Sequence, residues 1–169
     1  MYFDIHEATV LCGYEKTSTM INYLCREGLI TPSSDHKIGK GRKRYFTYQD
    51  LLILKMYRKL LNAGLSVKKI KNALDETKEF KKMLASPEEI KYRSTGLQYL
   101  FTDGEKVYFY KDQQQAIEMG TKGQYIFSFI LDLILINREL ADNVKSLEVA
   151  RNKKNYKSRY LNLQQLAVS

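Results

Sequence analysis

Residues 39–51, GKGRKRYFTYQDL, constrain the chain more than any other stretch. Lys40, Arg42, Lys43 and Arg44, with Lys37 just upstream, set five cations around Gly39 and Gly41, and the run passes directly into the helix opening at Thr47 and Asp50. The glycines suit a tight turn and the flanking alternation suits a short hairpin, so the segment predicts a basic hairpin joined to a helix start. Cations at this density repel one another unless a polyanion neutralises them, which points to a phosphate backbone. A solvated, charged turn is the plainer alternative.

Upstream, the pattern is helix, turn, helix. Asp4 can cap a short helix in which Ile5, Ala8, Leu11 and Cys12 share a face, and Gly13 stands where that helix should stop. A second start follows at Thr17, Ser18 and Thr19; Met20, Ile21, Leu24 and Cys25 are expected to face inward, with Asn22, Tyr23 and Arg26 outward, until Gly28 ends the helix. Two short helices around a glycine turn form the element that places its second helix in a major groove, and hydroxyls and an amide on that helix suit phosphate and base-edge contacts. Beyond the basic hairpin, Thr47 and Asp50 form a cap signal, and Leu51, Leu54, Tyr57, Leu60 and Leu61 recur at helical spacing up to Gly64. Ser66 opens a further helix whose buried side carries Val67, Ile70 and Leu74.

On these residues, positions 1–75 resemble the winged-helix DNA-binding domain of the MerR family of bacterial transcription regulators. The family's Gly-Leu-apolar helix end is met by Gly28, Leu29 and Ile30. Its wing signature is met by Gly41, Arg44, Phe46, Thr47, Asp50 and Leu51, and its helix-pair junction by Gly64, Leu65, Ser66 and Ile70. The resemblance implies that Tyr23 and Arg44 contact the DNA backbone. Three departures stand out: the turn before the second helix carries about two extra residues, Asn22 replaces a phosphate-gripping Arg, and Phe46 replaces a Tyr. The candidate DNA-binding set is Thr17, Ser18, Thr19, Asn22, Tyr23, Arg26, Lys40, Arg42, Lys43 and Arg44.

Charge is unevenly spread along the 169 residues: residues 1–82 carry +7, 83–150 carry −3 and 151–169 carry +5. This division predicts a DNA-reading domain (1–82), a dimerisation or effector region (83–150) and a basic tail (151–169). No export signal opens the sequence, and the most apolar run, residues 125–136, is broken by Ser128 and Asp132 and too short to span a bilayer. Cys12 and Cys25 fall on inward helix faces and are read as buried thiols, so the expected compartment is the cytoplasm, with no membrane partner.

In the second region, Ser86-Pro87-Glu88-Glu89 is a helix opening, and residues 97–101 and 106–110 flank Asp103-Gly104 as a β-hairpin. A short helix follows between Asp112 and Gly120, then a long helix from about Gln124 to Ala150. Its first turns are apolar nearly all round, which a small region cannot cover alone, so a second subunit is the expected cover. The candidate dimerisation residues are Ile126, Phe127, Ile130, Leu133, Ile134, Leu140, Val144 and Leu147; Leu133, Leu140 and Leu147 also keep a seven-residue spacing that fits a coiled coil or a core helix. This half resembles, more loosely, the C-terminal region of a little-studied MerR-like group.

Enzymatic chemistry is not legible. His6 and His36 have no ligand partners at metal spacing, no cysteine follows residue 25, and Gly120-Thr121-Lys122-Gly123 lacks the start of a phosphate loop. Tyr99, Tyr108 and Tyr110 could line a flat pocket, or equally a half-buried sheet face. The expected fold is mainly α with small β-hairpins: an N-terminal winged helix–turn–helix followed by a hairpin-and-long-helix region. The expected function is that of a non-enzymatic, cofactor-free regulator, acting as a homodimer on pseudo-palindromic double-stranded DNA with possible distortion of the promoter, and answering to an unidentified small-molecule or protein effector. The alternative is an antitoxin-like or phage- or plasmid-type interaction module whose DNA binding is autoregulatory.

Overall fold

The computed structural model describes residues 1–14, 18–32, 43–76, 99–102, 107–110, 114, 117–118 and 129–166. The elements among the described residues are, in chain order, β1 (Phe3–Asp4), α1 (Ile5–Leu11), α2 (Thr19–Arg26), β2 (Tyr45–Phe46), α3 (Tyr48–Asn62), α4 (Val67–Glu76), β3 (Tyr99–Thr102), β4 (Val107–Tyr110), β5 (Phe129–Asp132) and α5 (Leu133–Leu166). The mainly helical class with small antiparallel sheets is as expected. The wing tip with Lys40 and Arg42, the turn at Asp103-Gly104, the helix opening at Ser86, and Thr17, Ile126 and Phe127 lie outside the described residues.

The helix boundaries in the N-terminal part follow local chemistry. Asp4 Oδ1 accepts from the backbone N–H of His6 (2.8 Å) and Glu7 (2.9 Å), while Glu7 Oε2 accepts from the Asp4 N–H, which closes a reciprocal cap on α1. Thr47 and Asp50 repeat the arrangement on α3, and Ser66 Oγ accepts from Lys69 N–H at α4. Gly28, at φ +74°, ends α2 in the left-handed region, which lets Leu29 N–H reach back to Leu24 O (3.0 Å).

The wing is held by a pairing that the sequence reading did not contain. Its outgoing strand β2 pairs antiparallel with β1, Phe3 opposite Phe46 and Asp4 opposite Tyr45. Both phenylalanines are fully buried, so the chain's start clips the wing base onto the helical core. That core gathers Ala8, Leu11, Ile21, Leu24, Leu51, Leu54, Tyr57, Leu60 and Ile70.

Two expectations for the C-terminal half are corrected. Residues 129–132 are strand, not helix: β5 pairs with β3 in a sheet of order β4-β3-β5. A short apolar run is compatible with either element, and Phe129 and Ile130 suit a strand. The long helix therefore starts at Leu133 rather than Gln124 and continues to Leu166, taking in much of the stretch read as a basic tail.

The second correction concerns what covers this helix. Leu133, Ile136, Leu140 and Val144 are buried within the same core cluster as α1 and α3, so three candidate dimerisation residues, Leu133, Leu140 and Val144, are covered inside one protomer. The 3–4–4 spacing puts these side chains on one face, and each buried aliphatic side chain is worth about 1.5–3 kcal/mol. Polar contacts flank them: Tyr48 Oη donates to Asn137 Oδ1 (2.8 Å), Asn143 Nδ2 to Leu11 O (3.1 Å) and Arg151 Nε to Glu7 Oε1 (3.0 Å). Glu139 Oε2 meets Lys55 Nζ at 3.4 Å and Lys59 Nζ at 3.3 Å. Of the remaining candidates, Ile134 is exposed, Leu147 is half-buried and Ile130 lies in β5.

Candidate nucleic-acid interface

The helix α2 is amphipathic, and its inner side is fixed by Ile21 and Leu24, both fully buried. Thr19, Asn22 and Arg26 are exposed, and Ser18 and Tyr23 are half-buried. The helix starts at Thr19 with Ser18 as its cap residue, within the expected start at Thr17, Ser18 and Thr19. Met20 corrects its inward assignment: it is 37% exposed and belongs to the outer side.

The wing base joins this face. Arg44 Nη1 donates to Asn22 Oδ1, and Asn22 Nδ2 donates to Ser18 Oγ (3.3 Å). A side-chain chain therefore runs from the cap of α2, through its first turns, to the wing. A cation stands beside position 22 although the sequence carries Asn there. Lys43, the next cation on the wing, is exposed.

Beside α2 lies a surface cleft of about 560 Å³ lined by Tyr14, Thr19, Met20, Asn22, Tyr23, Arg26 and Arg58. Arg26 sits over the Tyr23 ring at 5.2 Å and Arg58 over the Tyr14 ring at 5.6 Å, within reach of the ring quadrupole. Arg58 Nε also donates to Gly13 O (3.0 Å), and Tyr14 is anchored in turn by its hydroxyl, which donates to Leu54 O (2.8 Å). Burial pushes the Tyr14 phenol well above the usual tyrosine range, so it stays a neutral platform for the guanidinium. Tyr14 and Arg58 were absent from the expected site. Their sequence separation of more than 40 residues hides their meeting, and no motif marks them.

Other chemistry is sparse among the described residues. No group of three or more His, Cys, Asp or Glu could hold a metal ion, and no helix is long and apolar enough to cross a membrane. Cys12 is a buried thiol whose Sγ donates to Leu51 O (3.2 Å); burial pushes it up to about 12, so it is not a thiolate at neutral pH.

Two short helices, α1 and α2, thus present a cationic outer face that Arg44 joins to the base of β2. Residues 11–77 match the family model described as MerR HTH family regulatory protein. Over 116 residues the chain is 28% identical to proteins named uncharacterised HTH-type transcriptional regulators, one from Mycobacterium bovis and two from strains of Mycobacterium tuberculosis. Each match takes in 66% of this chain and 45% of the relative, so the chain spans about half the length of those proteins.

Proposed function

We propose that the protein is a cytoplasmic, sequence-specific DNA-binding transcription regulator. The observation that carries this reading is the outer face of α2, where Thr19, Asn22 and Arg26 are exposed and Arg44 is tied to the helix from the wing base. A helix with that face suits the major groove, with the wing on the adjacent backbone. Thr17, Lys40 and Arg42 would extend the contact at either end of it. The MerR-type segment and the names of the relatives support the same class.

The working form is a homodimer on a pseudo-palindromic site, whose geometry it distorts rather than merely occludes. With Leu133, Leu140 and Val144 covered inside the protomer, the contact falls to the outer side of α5, where Ile134, Leu135 and Val149 are exposed. Selection of bound fragments from genomic DNA, followed by anisotropy titration and light scattering, tests both parts. A selected motif with two inverted half-sites and a dimeric mass is expected. Absence of any preferred sequence overturns the regulator reading, and a monomeric mass at micromolar concentration overturns the dimer.

A further inference from the structure

We propose that the cleft between α2 and α3 is a phosphate-binding notch, in which Arg58 and Arg26 together hold one phosphodiester group of duplex DNA at the edge of the groove that receives α2. The assignment rests on the DNA-binding reading above and adds a site on α3 to it. Two arginines from different helices line one cleft together with Thr19 and Asn22, and its described lining contains no carboxylate. Guanidinium forks match the paired oxygens of a phosphate, so this donor set suits an anion of that shape.

Arg58 is also set in place before any ligand arrives. Its Nε is committed to Gly13 O and its plane rests on Tyr14, which is held by Leu54 O, so the terminal nitrogens are the donors left to face an incoming oxygen pair. Fixing a long side chain in advance removes an ordering cost that binding would otherwise carry. The contact partners are neutral: a carbonyl and a ring orient the guanidinium without cancelling its charge. The cleft shares Thr19, Asn22 and Arg26 with the exposed face of α2, so whatever α2 lies against also covers the notch. That favours a DNA phosphate over a free small anion.

The test uses the full chain and a duplex selected by the wild-type protein from a randomised pool. R58Q removes the charge but keeps a donor for Gly13 O; R58K keeps the charge. R58Q should weaken binding by about tenfold to a hundredfold, as expected for a lost charge-assisted contact. Its salt slope should fall by at most about 0.9, the value for one wholly lost phosphate contact. The preferred sequence should be unchanged, and R58K should keep the slope. Neutral methylphosphonates placed one at a time along the duplex should reveal one position per half-site that weakens wild type clearly more than R58Q, in which Arg26 alone still meets that phosphate. R58Q with wild-type affinity and slope, or a scan of wild type in which no position stands out, overturns the notch. Inorganic phosphate saturating wild type at micromolar concentration while R58Q binds DNA normally overturns it in favour of a small-anion site. A wild-type protein that binds no duplex sinks the DNA-binding reading itself, a separate result.

Discussion

Two surfaces of the α1–α3 core carry arginine and lysine side chains, and they treat them in opposite ways. Along the seam with α5, Lys55 and Lys59 meet Glu139, and Arg151 meets Glu7. Along the outer face of α2, Arg26 rests on Tyr23 and Arg58 on Tyr14 and Gly13 O. Carboxylate partners neutralise a cation and close the surface over it. Aromatic and carbonyl partners orient a cation while leaving its charge to act outward. The seam is built to stay shut, and the α2 face has the charge that the proposed contact with a polyanion needs.

The seam should break most expensively. Leu140 is fully buried between α5 and the reader core, and Leu140→Asp places an unpaired carboxylate there, at a cost of several kcal/mol. Denaturant titration should show the loss over the N-terminal core as well as α5. Unfolding of α5 alone, with the core unchanged, would show that the two fold independently.

A neighbouring substitution separates protomer from dimer. Ile134 is 43% exposed, so Ile134→Asp should change protomer stability by no more than about 0.5 kcal/mol, as for surface changes generally. It should nonetheless shift the mass seen by light scattering from dimer to monomer and reduce DNA affinity, because two tethered half-site contacts become two independent ones. A dimer that persists would move the interface elsewhere on the chain.

The reader face should respond in binding, not folding. Arg44→Ala is expected to lower affinity for all duplexes and to flatten the salt dependence by about 0.9 in slope. Ser18 and Asn22 carry side chains suited to base-edge contacts; their bond to each other and that of Asn22 to Arg44 make Asn22 equally an orienting partner for that guanidinium. Asn22→Ala and Arg44→Ala should then couple by about 0.5–3 kcal/mol in a double-mutant cycle. Additive losses with a changed preferred sequence would return Asn22 to direct base reading.

The smallest effect expected is on acid stability. Burial raises the Glu139 carboxyl, but hydrogen bonds and charge from Lys59 and Lys55 outweigh it and hold the group below its ordinary value. A lowered folded pKa contributes stability above the unfolded value, and that contribution is lost as pH falls through the folded one. Glu139→Gln should therefore reduce stability slightly near neutral pH and converge with wild type in acid, as melting curves across pH would show. Parallel curves at every pH would mean the pair contributes nothing through ionisation.

Much of the N-terminal half was legible because its signals are local. Caps at Asp4 and Thr47 and stops at Gly13, Gly28 and Gly64 act within one helical turn, and a residue string displays them directly. The same applies to the inner side of α2, where Ile21 and Leu24 fall at helical spacing. The candidate site was legible as a list of exposed polar and cationic positions, but its connections were not. Arg44 meets Asn22 across 22 residues, and Arg58 meets Gly13 across 45.

The C-terminal half shows where local reading gives out. The apolar run ending at Ile136 satisfied a helix pattern throughout, yet its residues 129–132 complete a sheet because β3 offers an edge for them to pair with. The long helix was expected to need a second subunit, yet α3 and α1 of the same chain cover Leu133, Leu140 and Val144. By itself the sequence determined where the N-terminal helices are capped and stopped and, Met20 apart, the apolar face of α2. Tertiary structure alone decided which apolar face covers which, and which neutral groups aim the arginines. Those outcomes turn on contacts such as Tyr48 with Asn137, 89 residues apart, and Leu11 with Asn143, 132 apart, whose formation depends on how the whole chain closes on its core.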